Sequence, residues 1–173
     1  METIRVARVE DAPGIGRVHV DSWRTTYKGI VSDEVLANLS YAQREQNAYQ
    51  RLSNPPHKIY TYVAEDEQGQ IVGFIVGGIN RDTSSAYKSE LYAIYTLQSV
   101  QGHGVGKRLT KALVKRLVED ELYSMLVWVL ADNPSRGFYE ALGGRYVSTK
   151  PIEIGGVILN EVSYGWEDIR VML

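Results

Sequence analysis

Hydrophobic residues recur along this chain with two alternating periods, one helical and one strand-like. Residues 4–9 carry apolar side chains in a short run that predicts a first strand. From a cap at Asp11 to Tyr27, the apolar positions have helical spacing. Residues 32–39 and 40–53 then predict two further helices, the second of them polar on most of its faces. The chain is therefore expected to begin with one strand and three helices.

The rest of the chain is richer in strands. The polar turn at residues 65–70 predicts one hairpin, and Gly155-Gly156 predicts another near the end. Residues 104–119 have the clearest amphipathic pattern, with an apolar stripe opposite basic side chains. The predicted elements of this part, in chain order, are strands over residues 59–64, 71–79 and 90–97, a helix over 104–119, a strand over 124–130, a short helix over 134–142, and strands over 145–154 and 157–166. Because no repeat or linker interrupts the pattern, the sequence predicts one α+β domain over residues 1–173.

Composition narrows the function classes. Hydrophobic residues make up 44% of the chain and charged residues 23%, which is typical of a globular protein and not of a disordered one. Lysine and arginine number 19 against 21 acidic residues, so the net charge is −2, and binding to nucleic acid through bulk positive charge is not expected. The absence of cysteine excludes a disulfide framework, a thiolate zinc site and a cysteine nucleophile.

Localisation signals and metal-ligand patterns are not found. The amino terminus carries no basic region followed by an apolar run, so no signal peptide is predicted. The longest apolar stretches, such as residues 125–131, are much shorter than the roughly 20 residues of a membrane helix. His19 and His57 are isolated from carboxylates at ligand spacing, so no metal site is predicted. We therefore expect a cytoplasmic protein whose partners include neither a membrane nor a nucleic acid.

The candidate chemistry starts at the glycine-rich segment Gln101-Gly102-His103-Gly104-Val105-Gly106, between a predicted strand and the amphipathic helix. Glycines at alternate positions let backbone N–H groups turn toward one point, and a helix N-terminus adds partial positive charge. The spacing excludes a P-loop, because only three residues separate Gly102 from Gly106-Lys107. It also excludes the dinucleotide fingerprint, which needs a glycine at Lys107. A phosphate-binding turn and a purely structural turn remain open on this basis.

Three segments in register resemble the GNAT N-acetyltransferase family. Gln101, Gly104 and Gly106 match the coenzyme A signature of that family, Gln-x-x-Gly-x-Gly. Residues 90–97, with the sequence Glu-Leu-Tyr-Ala-Ile-Tyr-Thr-Leu, resemble its central strand. Residues 133–144 resemble its second cofactor segment. The specific motifs cover only these segments, whereas the order of elements agrees over almost the whole chain.

The resemblance implies a fold and a cofactor. The fold is a mixed, mostly antiparallel sheet of about seven strands, with helices on both faces and two central parallel strands that splay apart. The pantetheine arm of acetyl-CoA would enter between these strands and pair with the backbone of Ile94, Tyr95 and Thr96. An N–H near Thr96 would polarise the thioester carbonyl. Backbone N–H groups from Gln101 to Lys107 would hold the pyrophosphate.

The downstream segment supplies the other implied roles. Asn133 would bond the pantetheine arm. Ser135 and Arg136 would lie near the nucleotide end, and Tyr139 would protonate the departing thiolate as general acid. The interval from Asn133 to Tyr139 is one residue shorter than the commonest family spacing, which leaves Asp132 as an alternative contact.

Side chains beside the loop have open interpretations. Lys107 and Arg108 belong either to a solvated helix face or to the site of the nucleotide phosphates. His103 is expected to face solvent at the loop and not to act in catalysis.

The acceptor amine needs a proton acceptor, because an amine is mostly protonated at neutral pH. Glu90 is expected to share one face of its strand with Tyr92 and Ile94, where its carboxylate would take the proton directly or through water. The equally weighted alternative is a glutamate in solvent at the start of the strand. Tyr92 is expected to contact the acceptor.

The acceptor cleft is expected at the end of the first long helix. Trp23 and Tyr27 would supply aromatic walls, and Asp21 would supply a carboxylate, which together suit a cationic amine. The alternative for Trp23 is a core position on the apolar stripe of its helix.

On these grounds the sequence predicts an acetyl-CoA-dependent N-acetyltransferase in which a primary amine attacks the thioester directly. The acceptor is a small molecule or a peptide or protein amine. The alternative from another class is a non-catalytic sensor module that binds acetyl-CoA. A nucleotide hydrolase is disfavoured, because a Walker lysine context and an acidic metal-binding pair are missing. A homodimer through the edge of the final hairpin is compatible with the pattern.

Overall fold

The central element of the structure, a computed structural model that describes residues 1–173, is one seven-stranded sheet. The strands are β1 Thr3–Val6, β2 Ile59–Glu65, β3 Ile71–Ile79, β4 Ser89–Thr96, β5 Met125–Leu130, β6 Arg145–Ile154 and β7 Val157–Trp166. Their order across the sheet is β1-β2-β3-β4-β5-β7-β6. Neighbouring strands are antiparallel except for β4 and β5, which are parallel.

Five α-helices cover the two faces of this sheet. They are α1 Ala12–Thr26, α2 Asp33–Ala37, α3 Tyr41–Ser53, α4 Val105–Glu119 and α5 Arg136–Ala141. Buried residues of α1 and α3 form one core cluster with β2 and β3, whereas α4 and α5 belong to a larger cluster of 17 buried residues that also involves β5 and β7. The layers confirm the predicted α+β fold, because each long helix buries its apolar stripe against the sheet.

The amphipathic pattern of α4 explains why this helix is the best predicted one. Leu109, Leu113 and Leu117 have no exposed surface. Burial of a leucine side chain stabilises a fold by roughly 1.5–3 kcal/mol, so this stripe holds α4 firmly on the sheet. Lys107 and Lys111 lie on the exposed side.

Two local predictions near the amino terminus are wrong. The first strand ends at Val6, and Val9 already begins a 3-10 turn. Asp11 does not cap α1 with its side chain. Its carboxylate instead accepts hydrogen bonds from the Arg5 guanidinium at 2.7 and 2.8 Å and from the Arg8 backbone N–H at 2.7 Å. Charge-assisted hydrogen bonds are stronger than a neutral cap, so the arginine takes the carboxylate.

α1 and α3 approach each other closely at Gly16. A Cβ atom at this position would lie 2.7 Å from the backbone nitrogen of Glu45 in α3. Glycine inside a helix costs about 1 kcal/mol relative to alanine. The close contact of the two helices explains why α1 tolerates this glycine.

β4 and β5 separate after a short paired segment. The last paired residues are Leu91 of β4 and Val127 of β5. Residues 92–96 of β4 therefore have no partner on β5. The backbone of this segment is free on the side that faces β5, which opens a gap in the centre of the sheet.

A bulge in β4 lies at the same place. The register between β3 and β4 skips Tyr92, which is the extra residue. Leu91 and Ile94 consequently pack in the same cluster on the α4 side, whereas Tyr92 packs with Tyr95 on the α1 side. The prediction that Glu90, Tyr92 and Ile94 share one face is therefore wrong for Ile94, because a bulge reverses the alternation of side chains. Glu90 and Tyr92 do share a face, since the Arg81 guanidinium contacts both.

Candidate active site

Two cavities meet where β4 and β5 separate. The larger one, about 450 Å³, lies beside the glycine-rich segment and is called the loop cavity below. The smaller one, about 190 Å³, lies on the α1 side and is called the aromatic cavity. The residues that line both cavities are Ile94, Thr96, Gln101, Ser135 and Tyr139. These shared walls place the two cavities next to each other at the gap in the sheet.

The glycine-rich loop forms one wall of the loop cavity. Gly102 and Gly104 have φ angles of +79° and +76°, a left-handed conformation that glycine adopts without strain. The Gln101 side chain donates a hydrogen bond to the Thr96 carbonyl at 3.3 Å, which closes the loop onto the end of β4. The loop is therefore held against the part of β4 that lacks a partner on β5.

The first turn of α4 completes this wall. Val105 is buried and anchors the turn in the core. A Cβ atom at Gly106 would lie 3.3 Å from the ring of Phe138, so α5 packs directly on the turn. Lys107 lines the loop cavity. His103 is exposed and does not line it.

Arg108 lies outside the loop cavity and stabilises the loop through hydrogen bonds. Its guanidinium donates hydrogen bonds to the His103 carbonyl at 3.1 Å and to the Glu2 carboxylate at 2.6 Å. These bonds tie the loop to the residue before β1. Of the two interpretations for the basic pair, a phosphate contact fits Lys107, and a structural role fits Arg108.

The loop cavity fits an extended chain that ends in a diphosphate. The free backbone of residues 92–96 can pair with such a chain as a strand does. The N-terminus of α4 opens onto the same cavity and provides partial positive charge and free N–H groups for an anion. Acetyl-CoA has these two features, so the residues present fit this cofactor.

Tyr139 lies at the junction of the two cavities. Its side chain is buried among α4 and β7 residues, but its hydroxyl has no hydrogen-bond partner in the protein and is not sealed off. Burial raises the pKa of the Tyr139 phenol well above its ordinary value, and the nearby Tyr95 phenol raises it further. The hydroxyl therefore keeps its proton at neutral pH and is free to donate it to a bound group.

Asn133 links α1 to the turn before α5. Its side-chain amide donates a hydrogen bond to the Tyr27 hydroxyl at 3.1 Å, and its oxygen accepts one from the Ser135 N–H at 2.7 Å. Burial is the main cause that raises the pKa of the Tyr27 phenol, and the phenols of Tyr95 and Tyr139 also contribute. The structure therefore brings three tyrosine phenols together around the junction.

Arg136 lies away from both cavities. Its guanidinium donates to the Tyr164 hydroxyl and to the Ala131 carbonyl, each at 2.9 Å. These bonds hold the side chain against β7 and the end of β5, so its implied position near the nucleotide end stays a prediction. Its neighbour Ser135 does line both cavities.

Aromatic side chains form the walls of the aromatic cavity. They are Trp23 of α1, Tyr27 directly after α1, Tyr92 and Tyr95 of β4, Trp128 of β5 and Tyr139 of α5. Trp23 and Tyr27 pack edge to face, with ring centroids 4.6 Å apart. The indole N–H of Trp23 is buried without a hydrogen-bond partner. The structure thus brings together the three aromatic residues that the sequence assigned to the acceptor side.

Asp21 does not line this cavity. Its carboxylate accepts a hydrogen bond from the Tyr41 hydroxyl at 2.6 Å, and Arg24 lies over the Tyr41 ring at 5.2 Å. The expectation that α1 supplies the carboxylate of the acceptor cleft is corrected by this contact, because Asp21 faces α3.

Comparisons with known proteins agree with this geometry. Residues 20–144 match the acetyltransferase (GNAT) family. The chain belongs to that family. It is 39% identical over 172 residues to "Uncharacterized N-acetyltransferase YuaI" of Bacillus subtilis (strain 168), a match that covers 99% of this chain and 96% of that protein.

Solved structures of the family have the same fold. The PaiA N-acetyltransferase of Thermoplasma acidophilum, in complex with coenzyme A, has a TM-score of 0.70 and 23% identity and covers 93% of this chain and 98% of its own. YncA of Salmonella typhimurium, solved with its cofactor acetyl-CoA, has a TM-score of 0.71 and 18% identity. The match covers 98% of this chain and 94% of YncA. These findings confirm the predicted family, the sheet with its central parallel pair, and an acyltransferase that uses acetyl-CoA.

Glu90 of this acetyltransferase is a buried member of an ion pair. It is 4% exposed, and both of its carboxylate oxygens accept hydrogen bonds from the Arg81 guanidinium, one of them at 3.1 Å. Arg81 also lies over the ring of Tyr92 at 4.5 Å. The interpretation of Glu90 as a solvent-exposed residue is wrong, and its carboxylate lines neither cavity.

The Tyr92 side chain is held in place by a contact of its ring with Arg81 and by a hydrogen bond of its hydroxyl. Its hydroxyl donates a hydrogen bond to the Ile79 carbonyl, and burial raises the pKa of the phenol to about 12. This tyrosine is therefore a neutral wall of the aromatic cavity across the physiological pH range.

Sequence reasoning missed the one charged residue that lines the aromatic cavity, Glu161 of β7. A signal for it exists in the alternation of β7. Val162 and Tyr164 are buried on the α4 side, so Glu161, one residue before Val162, must face the α1 side. Trp128 and Phe138 were also missed as cavity walls, because a single apolar residue in a buried segment carries no sign of its role.

Two further features of the acetyltransferase bear on its class. No group of three or more His, Cys, Asp or Glu side chains is placed to hold a metal ion. None of its helices combines the length and the apolar character that a membrane span requires.

Proposed function

We propose that this acetyltransferase transfers the acetyl group of acetyl-CoA to a primary amine of a small molecule or a peptide, by direct attack of the amine on the thioester. The observation that carries this proposal is the free hydroxyl of Tyr139 at the junction of the two cavities. One cavity suits the cofactor and the other suits an amine. The reaction then takes place where the two cavities meet, because the rate increases most when the two bound reactants are held in contact.

Residues of the loop cavity would bind and orient the cofactor. Acetyl-CoA supplies an acetyl group that is activated as a thioester. The N–H groups of residues 101–107 and the Lys107 ammonium hold its diphosphate. The free backbone of Ile94, Tyr95 and Thr96 aligns the pantetheine arm, and a free N–H near Thr96 stabilises the negative charge that develops on the thioester oxygen.

Tyr139 acts in this proposal as the general acid. Its phenol holds a proton at Oη throughout the neutral range, since burial raises its pKa. It donates this proton to the sulfur that leaves, which removes the need for a free thiolate in a site of low polarity. Asn133, through Tyr27, fixes the wall on the opposite side of the junction.

Glu90 has a positioning role in this proposal. Its carboxylate is held by Arg81 and lines neither cavity, so it is not placed to reach the acceptor amine. Through this pair, Glu90 fixes the guanidinium that lies over Tyr92 in the wall of the aromatic cavity. The acceptor amine then loses its proton to solvent that enters the aromatic cavity.

The test is a screen of primary amines with purified protein and acetyl-CoA, in which released coenzyme A is measured with a thiol reagent. The chain contains no cysteine, so the protein contributes no thiol signal. We expect coenzyme A release with at least one amine, and loss of this release in Tyr139→Phe. Tyr164→Phe is the matched control, because Tyr164 is also a buried tyrosine but lines neither cavity.

Binding data distinguish the enzyme from the sensor alternative. Acetyl-CoA binding without coenzyme A release for any amine would contradict the proposed reaction and favour a sensor module. Equal release by wild type and Tyr139→Phe would contradict the assigned acid while leaving the transferase activity in place.

A further inference from the structure

An ammonium group of the protein itself lies against two residues that line the aromatic cavity. The Nζ atom of Lys150 in β6 lies 3.3 Å from Oε1 of Glu161 and 3.9 Å from the centroid of the Trp128 ring. Glu161 and Trp128 both line the cavity. A carboxylate and an indole face both bind an alkylammonium group, the first through charge-assisted hydrogen bonds and the second through a cation–π contact.

The two partners differ in how firmly the fold holds them. The Glu161 side chain is 14% exposed, whereas that of Lys150 is 51% exposed. Lys150 can therefore swing into solvent without opening the core, while Glu161 stays in place. If Lys150 leaves, a partly buried carboxylate loses its counter-ion, which is costly unless another cation replaces it.

The other walls restrict what this cation can be attached to. Apart from Glu161, every residue that lines the aromatic cavity is uncharged, and most are apolar or aromatic. Such walls favour an aliphatic chain between two polar ends. The amine that attacks the thioester has to be neutral, whereas a carboxylate stabilises a charged ammonium. The group at Glu161 is therefore not the reacting amine.

We propose that the acceptor is an aliphatic diamine, whose second ammonium replaces that of Lys150 between Glu161 and Trp128. This inference rests on the function proposed above, and it adds the substrate class. Glu161 is then a specificity-determining residue of the acceptor site. In the absence of substrate, the Lys150 ammonium occupies the position that the second ammonium of the diamine would take.

The first experiment measures binding without turnover. The protein is saturated with coenzyme A, which has no acetyl group to transfer, and is titrated in a calorimeter with 1,5-diaminopentane or n-pentylamine. These probes have the same carbon chain and differ in one ammonium group. We expect the diamine to bind about tenfold or more tightly than the monoamine, as is typical of a charged hydrogen-bonded contact.

Variants test whether the preference for the diamine depends on Glu161 and Lys150. Glu161→Gln should reduce the preference for the diamine to about onefold. Glu153→Gln should retain it, because Glu153 lies on the opposite face of β6 from Lys150 and lines neither cavity. Lys150→Met should bind the diamine several-fold more tightly and the monoamine unchanged, since the competing ammonium is gone. This variant keeps Glu161, so it decides the question even if Glu161→Gln is unstable.

Three results of the binding experiments would overturn the inference. They are equal affinities of the two probes for the wild type, no binding of either probe at millimolar concentration, and weaker diamine binding by Lys150→Met. Coenzyme A release from acetyl-CoA is measured in parallel. Equal turnover of both amines would support the acetyltransferase reaction and refute the diamine. A diamine preference in binding without any coenzyme A release would refute the reaction and keep the cation site.

Discussion

The Tyr139→Phe substitution tests the chemistry of this acetyltransferase with little structural change. The hydroxyl that is lost has no hydrogen-bond partner in the protein. Its removal should therefore change the free energy of unfolding by less than about 1 kcal/mol. A positioned general acid contributes about 10²–10⁴-fold to a rate, so kcat should fall by this factor, which corresponds to about 3–5 kcal/mol in activation free energy.

Tyr164→Phe should show the opposite behaviour. The Tyr164 hydroxyl accepts a hydrogen bond from Arg136 at 2.9 Å and donates one to the Glu140 carboxylate at 2.8 Å. Hydrogen bonds to charged groups contribute about 1.5–3 kcal/mol, so this variant should be clearly less stable. Its kcat should remain near the wild-type value, because the hydroxyl does not reach either cavity.

The assay combines coenzyme A release at saturating acetyl-CoA with thermal unfolding of the same preparations. The reasoning predicts a loss of kcat without a loss of stability at Tyr139, and a loss of stability without a loss of kcat at Tyr164. The general-acid assignment is refuted if Tyr139→Phe retains the wild-type kcat. It is also refuted if the variant is destabilised and its lower kcat is explained by the smaller fraction of folded protein.

Three further outcomes are expected. Gly104→Val places a β-branched residue at φ +76° and should abolish acetyl-CoA binding in calorimetry. The control Gly69→Val has the same strain, at φ +79° between β2 and β3, and should bind acetyl-CoA normally. Equal affinities of the two variants for acetyl-CoA would contradict the assignment of the loop to phosphate binding. Glu90→Gln should lower the free energy of unfolding by about 1.5–3 kcal/mol and keep the shape of the pH–rate profile, and disappearance of one limb of that profile would instead make Glu90 the base. Burial lowers the pKa of His19 to about 3, so the unfolded chain takes up a proton near pH 6.5 that the folded chain does not. Stability should therefore fall by up to about 1.4 kcal/mol per pH unit as the pH decreases below about 6.5, and urea unfolding should show this slope reduced in His19→Phe but not in the exposed-site variant His57→Phe.

Most helices and strands were predictable, because their patterns are local. The stripe of α4 and the apolar run of β5 specify both the element and the face that it buries. The exceptions occur where a distant partner changes the local outcome. Asp11 has the residue type of a helix cap, but Arg5 of β1 binds it. Tyr92 fits a regular strand, but the register with β3 makes it a bulge.

The candidate site divides in the same way. The left-handed turn of the loop from Gln101 to Lys107 was predictable from sequence, because glycine residues favour the positive φ angles that Gly102 and Gly104 adopt. The acceptor side was identified only in part. Trp23 and Tyr27 line the aromatic cavity, but its carboxylate is Glu161 and not Asp21.

By itself, the sequence determined the order of the elements, the faces of the long helices and the position of the glycine-rich turn before α4. Each of these depends on residues that are neighbours along the chain. Tertiary structure alone decided which charges pair and which side chains meet at the gap in the sheet. Glu90 with Arg81 and Glu161 with Lys150 are pairs between different segments. A charged side chain has many candidate partners in a sequence, and only the register of the strands selects one of them.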